Sequence, residues 1–359
     1  MSRGGADAGA GDGGDDVGGD GAAGDAPGRV VAVPCEGADA LALFDLATGD
    51  PLGSVSVGSH PVHATALADR TFVATMGERS VTAVGPEGDV SRVETGVLGP
   101  SHFASADGDL YVSCSAGDAL AVIDPAEPTL VGRIGVGAEP HELAVDPGRG
   151  RLYSGSRRDG VVDVVDTAAR ERVGAVDAGP DARIQGVALA PDGYRGYAVD
   201  QDGGRIVSFA PDELPADGDS EGATKGNGAV LGEAPVGADP YDLVVTADRV
   251  FVPGRADGTV HELSPDLTLE AVHDGFSRPV DLVRANGRWW VLDAEAAQLR
   301  SLDGEVVDTN APGLVASRVG GGRLLVSHYD DDRISLVDVA DGTVWTADTP
   351  AYPFGAVVV

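Results

Sequence analysis

The sequence predicts an all-β fold, an eight-bladed β-propeller, on three observations. One short phrase recurs eight times: a turn ending near proline, a small apolar strand, a Gly/Asp turn, a second apolar strand, another Gly/Asp turn, and a strand ending in Asp. Its spacing of roughly 40 residues, filled with short β-patterned runs, suits one four-stranded blade per repeat. The chain ends are complementary, since residues 352–359 (YPFGAVVV) offer a first strand with no second, and residues 29–57 offer second, third and fourth strands with no first. The last residues should therefore join the strand at 29–34 and latch the ring, leaving no unpaired sheet edge. Seven complete repeats and this composite one give eight blades, with seven the alternative.

Residues 1–28 stand apart from the propeller domain at 29–359. They are almost entirely Gly, Ala and Asp, with six Asp against one Arg and a single Val, so they cannot bury a core and are expected to be a disordered tether. Within the domain, PSHFASADGDLYVSCSAGDALAVID (100–124) and PHELAVDPGRGRLYSGSRRDGVVDVVD (140–166) show the repeat well. Alternation such as Leu41 and Leu43 supplies apolar faces for blade-on-blade packing. Trp289 and Trp290 are adjacent in a second strand, which sends one ring to each side of the sheet. The acidic interruption at 212–228 reads as a solvated loop between the third and fourth strands of blade 4.

The chain has a net charge of −33 and a sequence pI near 4.2, and of its 25 basic residues only Lys225 is a lysine. An acid-coated, arginine-for-lysine surface suits high salt, where ions screen carboxylate repulsion. Nucleic acid is excluded as a partner, because its binding needs clustered basic residues. No apolar stretch long enough to insert in a membrane is present. The chain as given shows no signal peptide, which suits the cytoplasm but leaves the location open. The Gly/Asp tether nonetheless resembles the segment behind the lipid anchor of exported halophilic archaeal lipoproteins, which would make this a surface protein. A monomer is expected.

Two positions per repeat can be set in register. The first, two residues past the proline, reads His63, His102, Glu142, Gly186, Asp242, Asp281, Leu314 and Gly355 in blade order. The second, at the end of the second strand, reads Thr75, Cys114, Ser156, Asp200, Gly254, Asp293, His328 and, back at the chain start, Cys35. Both should crown one mouth of the central channel. Soft and borderline donors gather in one sector: His328, Cys35, His63, His102, Cys114 and Glu142. Thiolate and imidazole donors converging from adjacent strands suit zinc or copper, so these six residues are the candidate metal ligands. His102 and Cys114 are expected to be cross-strand neighbours. His60 and His141 flank ring positions. Asp200, Asp242, Asp281 and Asp293 form an opposite, acidic sector, read as a salt-solvated rim or a calcium site.

The stretches PHELAVDPGRGRLY and VALAPDGYRGYAVD, with the closing AVID and LVD, resemble the YVTN repeats of β-propellers. The resemblance covers residues 29–359 but lacks the namesake tetrapeptide, whose place is taken by LYVSC, LYSGS, GYAVD and VFVPG. It implies the fold and leaves the function open among lactonases, electron-transfer partners, metal-site domains and scaffolds. The His and Cys residues of the mouth also look similar to propeller-type zinc metallochaperones, although no His-rich segment is present. The expectation is a non-enzymatic YVTN-like binding protein carrying zinc or copper, with a metal ion and another protein as partners. The alternatives are a lactonase-like hydrolase drafted from His102, Glu142 and Arg183, and a metal-free interaction scaffold. No P-loop, dinucleotide fingerprint, CxxCH or HExxH motif occurs, which sets aside nucleotide hydrolysis, c-type haem and zincin chemistry.

Overall fold

The computed structural model describes residues 29–211 and 227–359. The expected tether at 1–28 lies outside the described residues, as does the interruption at 212–228 except for its last two residues. Those two pair in parallel with the outer strand of the preceding blade, Ala175 facing Asn227.

Eight antiparallel sheets follow one another in chain order, with 3-10 turns at Glu36–Ala38 and Tyr329–Asp331. Blade 1 spans residues 61–94, blade 2 100–135, blade 3 140–177, blade 4 184–235, blade 5 244–273, blade 6 279–308 and blade 7 315–348. Blade 8 combines Val30–Cys35, Ala40–Asp45 and Pro51–Ser56 with the C-terminal Val357–Val358 as its innermost strand. Val31 pairs with Val358 and Ala32 with Val357, and backbone hydrogen bonds between Val30 and Val359 complete the latch. The ring is closed as the complementary chain ends predict.

The core is not one mass but a separate apolar cluster at each junction between blades. Blades 1 and 2, for example, interlock Phe72, Val81, Leu110, Val112 and Ile123, and blades 3 and 4 interlock Tyr153, Val162, Ile184 and Phe209. Strand alternation sends each blade's side chains to its two neighbours in turn. Trp290 faces blade 7, fully buried, with its indole N–H donated to the Ala285 carbonyl at 3.3 Å. Trp289 faces blade 5 and packs on Phe251.

One irregularity positions the functional residues. Where the inner strand begins, the pairing with the second strand slips: in blade 2 Pro100 faces Cys114 but Phe103 faces Val112, and blades 1, 3, 4 and 6 slip at the same place. Such a bulge bends the strand and re-aims its side chains, so the residues just after the proline turn into the channel.

Candidate active site

The bulged starts of the inner strands assemble a row of aromatic and imidazole rings around one channel mouth. His63 of blade 1 lies 4.5 Å from His102 of blade 2, and His102 lies 4.1 Å from His141 of blade 3, measured between ring centroids. Phe354 closes the row at the blade 8 end, 4.9 Å from His63, and Tyr241 of blade 5 closes it at the other, 5.8 Å from His141. Small Gly186 occupies the blade 4 position, where a Cβ would meet Leu243 and the Tyr241 carbonyl. That gap lets blade 5 reach across to blade 3.

His102, His141 and Glu142 are all buried, and their ligating atoms lie within 4.8 Å of one another. Burial, reinforced by the neighbouring His102, holds the His63 and His141 imidazoles well below the usual value of 6.5, so both are neutral near pH 7. For His141 the charge of Arg157 pushes the same way. His141 Nδ1 lies 3.0 Å from the Gln185 carbonyl, which can only accept, so Nδ1 carries the proton. The basic Nε2 then faces the Gln185 amide at 3.0 Å and the Tyr241 hydroxyl at 3.4 Å. Desolvation pushes the Asp242 carboxyl up to about 6, although the Leu243 N–H donates to it.

Two arginines border the same sector. Arg157 approaches Glu139 at 3.7 Å, and Arg255 stacks over the Tyr241 ring at 3.9 Å while donating to both oxygens of Asp239 at 3.0 and 3.1 Å. Each follows directly on the end of a second strand, and its N–H bonds the carbonyl of the residue before the blade's proline. Sequence reasoning passed over this third register position, and it placed His141 only as a flanking residue. The signal for both was present beside the chosen ring positions: His141 is the residue before Glu142, and Arg157 the residue after Ser156.

Of the six residues proposed as ligands, the structure brings His63, His102 and Glu142 together, with His141 among them, and leaves the other three elsewhere. Cys114 pairs with Pro100 rather than His102, and its side chain enters the apolar junction of blades 1 and 2. Cys35 enters the junction of blades 7 and 8. Burial pushes both thiols up to about 12. His328 bonds the Pro312 carbonyl at 3.1 Å and Ser335 at 2.9 Å. For Cys114 the bulge is the reason, since it separates two rings that a regular hairpin would have superposed, whereas blade 7 slips only later, between Arg318 and Gly320. The second ring serves as a set of loop pins. Ser156 donates to the Ala138 carbonyl at 2.7 Å, Asp200 accepts the Arg183 N–H at 2.9 Å, and Asp293 accepts the N–H groups of Ser277 and Arg278. Asp281 likewise accepts the Ala316 N–H of blade 7 at 2.9 Å.

No family model matches the chain, so the YVTN likeness stays a resemblance. A curated relative, the major capsid protein of Pseudomonas phage phiKZ, is 28% identical over 117 residues, which is 32% of this chain and only 15% of that protein. Solved structures are similar over most of the chain. Dihydro-heme d1 dehydrogenase NirN matches with a TM-score of 0.72 at 14% identity, over 91% of this chain and 74% of that one. Apo AztD from Citrobacter koseri matches at 0.64 and 14% identity, over 93% and 98%. The periplasmic gluconolactonase PpgL of Pseudomonas aeruginosa matches at 0.56 and 16% identity, over 92% and 99%. At such identities the likeness shows the fold. With 6-phosphogluconolactonase-like propellers of Bacteroides also among the neighbours, the expectation of a non-enzymatic binding protein is corrected in favour of its lactonase-like alternative.

Proposed function

We propose that this chain is a lactonase-like hydrolase acting on a small cyclic ester at the channel mouth. The observation that carries the reading is the buried set of His102, His141 and Glu142, within 4.8 Å of one another and bordered by Arg157 and Arg255. Ester hydrolysis needs a base that is unprotonated at working pH and a cation where the oxyanion develops. A buried, neutral imidazole meets the first need and a flanking guanidinium the second. In this scheme the His102–His141–Glu142 set takes a proton from water as its oxygen bonds to the acyl carbon. Arg157 steadies the charge on the former carbonyl oxygen. The acyl–oxygen bond then breaks and the proton passes to the departing alkoxide, giving the open hydroxy acid. The gluconolactonase and 6-phosphogluconolactonase-like neighbours support this choice of substrate class.

The same residues fit a transition metal. Imidazoles held neutral beside a carboxylate are a borderline donor set suited to Zn²⁺ or a copper ion. His102, His141 and Glu142 would hold it, and when bound it would polarise an ester carbonyl.

The test is turnover of glucono-δ-lactone and other sugar lactones in molar salt, with and without chelator. Expected is hydrolysis that falls at least about a hundredfold in His102→Ala and in Arg157→Ala. Because His141 titrates below 6.5, kcat/KM should hold level from pH 7 down through 6.5 rather than halving there. Wild-type protein inert on every lactone would overturn the hydrolase reading. Metal content of wild type against His102→Ala checks the metal separately.

A further inference from the structure

The hairpin tips opposite the catalytic mouth form a second concavity, at the junction of blades 5 and 6. Inner strands start at the mouth, so the turns leading from first to second strands lie on the other face of the disc. Two of those turns, around Asp248 and Gly287, border a groove of about 430 Å³. That is within the range of about 300–1,000 Å³ usual for small-molecule sites.

Trp289, half-buried, is the aromatic wall of this groove. Its ring packs against Phe251 at 5.0 Å and a 46° tilt, which holds the indole in place, while the Arg284 guanidinium lies 5.8 Å from its centroid. Polar groups of both kinds surround it. Glu262 accepts from Arg249 Nε at 2.8 Å and lies 2.9 Å from His273 Nε2. Asp303 stands on the blade 6 side. Net charge argues against an ionic ligand: carboxylates oppose an anion, and guanidiniums oppose a cation. Interleaved donors and acceptors beside a fixed indole face suit a ring with one C–H face and several hydroxyls.

We infer that this groove is a saccharide-binding site in which a neutral pyranose ring stacks on Trp289 and its hydroxyls bond Arg284, Glu262 and Asp303. The inference is independent of the hydrolase reading, since the groove shares no residue with the mouth.

Titration calorimetry and tryptophan fluorescence would test it, with maltose, cellobiose and methyl α-mannopyranoside as probes, sorbitol as the open-chain control and tetramethylammonium as the cationic control. Of the three tryptophans, Trp290 is fully buried and Trp345 is held on blade 8 by the Leu46 carbonyl, so a ligand in this groove should report through Trp289. Expected is saturable binding of at least one ring sugar with a fluorescence change. Trp289→Leu should weaken it about tenfold or more, the equivalent of roughly 1.4 kcal/mol of lost stacking. Asp303→Ala, at an exposed turn, should weaken binding with an unchanged melting temperature. Binding that both variants leave intact, sorbitol binding as well as the rings, tetramethylammonium alone binding, or no saturation by any sugar would each overturn the site.

Discussion

Asp242 shows what burial at the mouth costs in stability. Its carboxyl is lifted from 3.8 to about 6 because folding strips its water and offers one N–H in return. A folded value above the unfolded one means the fold prefers the protonated acid. The penalty is therefore absent below pH 4, grows as pH rises between the two values, and is complete above about 6. Asp242→Asn should then stabilise the protein at pH 7.5 by up to about 3 kcal/mol and make little difference at pH 3.5. Urea denaturation at the two pH values checks this, and equal effects at both would refute the desolvation account. The thiols follow the same rule with a different consequence. Cys35 and Cys114, raised to about 12 by burial between blades, carry almost no thiolate at neutral pH. Ellman's reagent should therefore leave both unlabelled in the native protein and label both in denaturant. Fast native labelling would show that the blade junctions open.

At the scale of the element, a bulge decides which residues do chemistry and which hold the frame. The two register positions were legible from proline spacing and turn residues, and so were the blades themselves. What spacing does not encode is a one-residue slip, because period-two alternation survives it with every partner moved by one. Thus His102 and Glu142 were found, while Cys114 was expected beside His102 and instead faces Pro100. His141 lies one residue before, and Arg157 one residue after, the positions that a regular hairpin singles out. In the second ring, Ser156, Asp200, Asp293 and His328 each tie the preceding inter-blade loop to their own blade. Asp293 is the strongest case, a buried carboxylate accepting from the Ser277 and Arg278 N–H groups at 2.9 and 2.8 Å. Removing it would leave two backbone donors without an acceptor. Asp293→Ala should cost about 2–4 kcal/mol, and Asp293→Asn less, because the amide oxygen still accepts. Chemical denaturation of the pair decides it: an Ala variant as stable as wild type would mean that the loop needs no pin.

For the whole molecule the governing quantities are closure and charge. Closure was readable because each chain end lacks what the other supplies, and the Val31–Val358 pairing turns eight separately packed junctions into one ring. The net charge of −33 acts against it. Carboxylates on neighbouring outer strands repel one another, and the repulsion is larger in the compact state than in the expanded chain. Surface ion pairs such as Arg70–Asp89 at 3.1 Å and Arg333–Asp348 at 3.2 Å offset little of this, since exposed pairs contribute about 0–1 kcal/mol each and are screened by salt. Salt therefore weakens a small favourable term and a large unfavourable one together. The net repulsion wins, and stability should rise steeply as the Debye length shrinks from about 10 Å at 0.1 M to about 3 Å at 1 M. Melting curves in potassium chloride from 0.1 to about 3 M would show the midpoint climbing most over the first molar step, where screening changes fastest. A midpoint that fell with salt would mean that the ion pairs, and not the net charge, govern the stability of the ring.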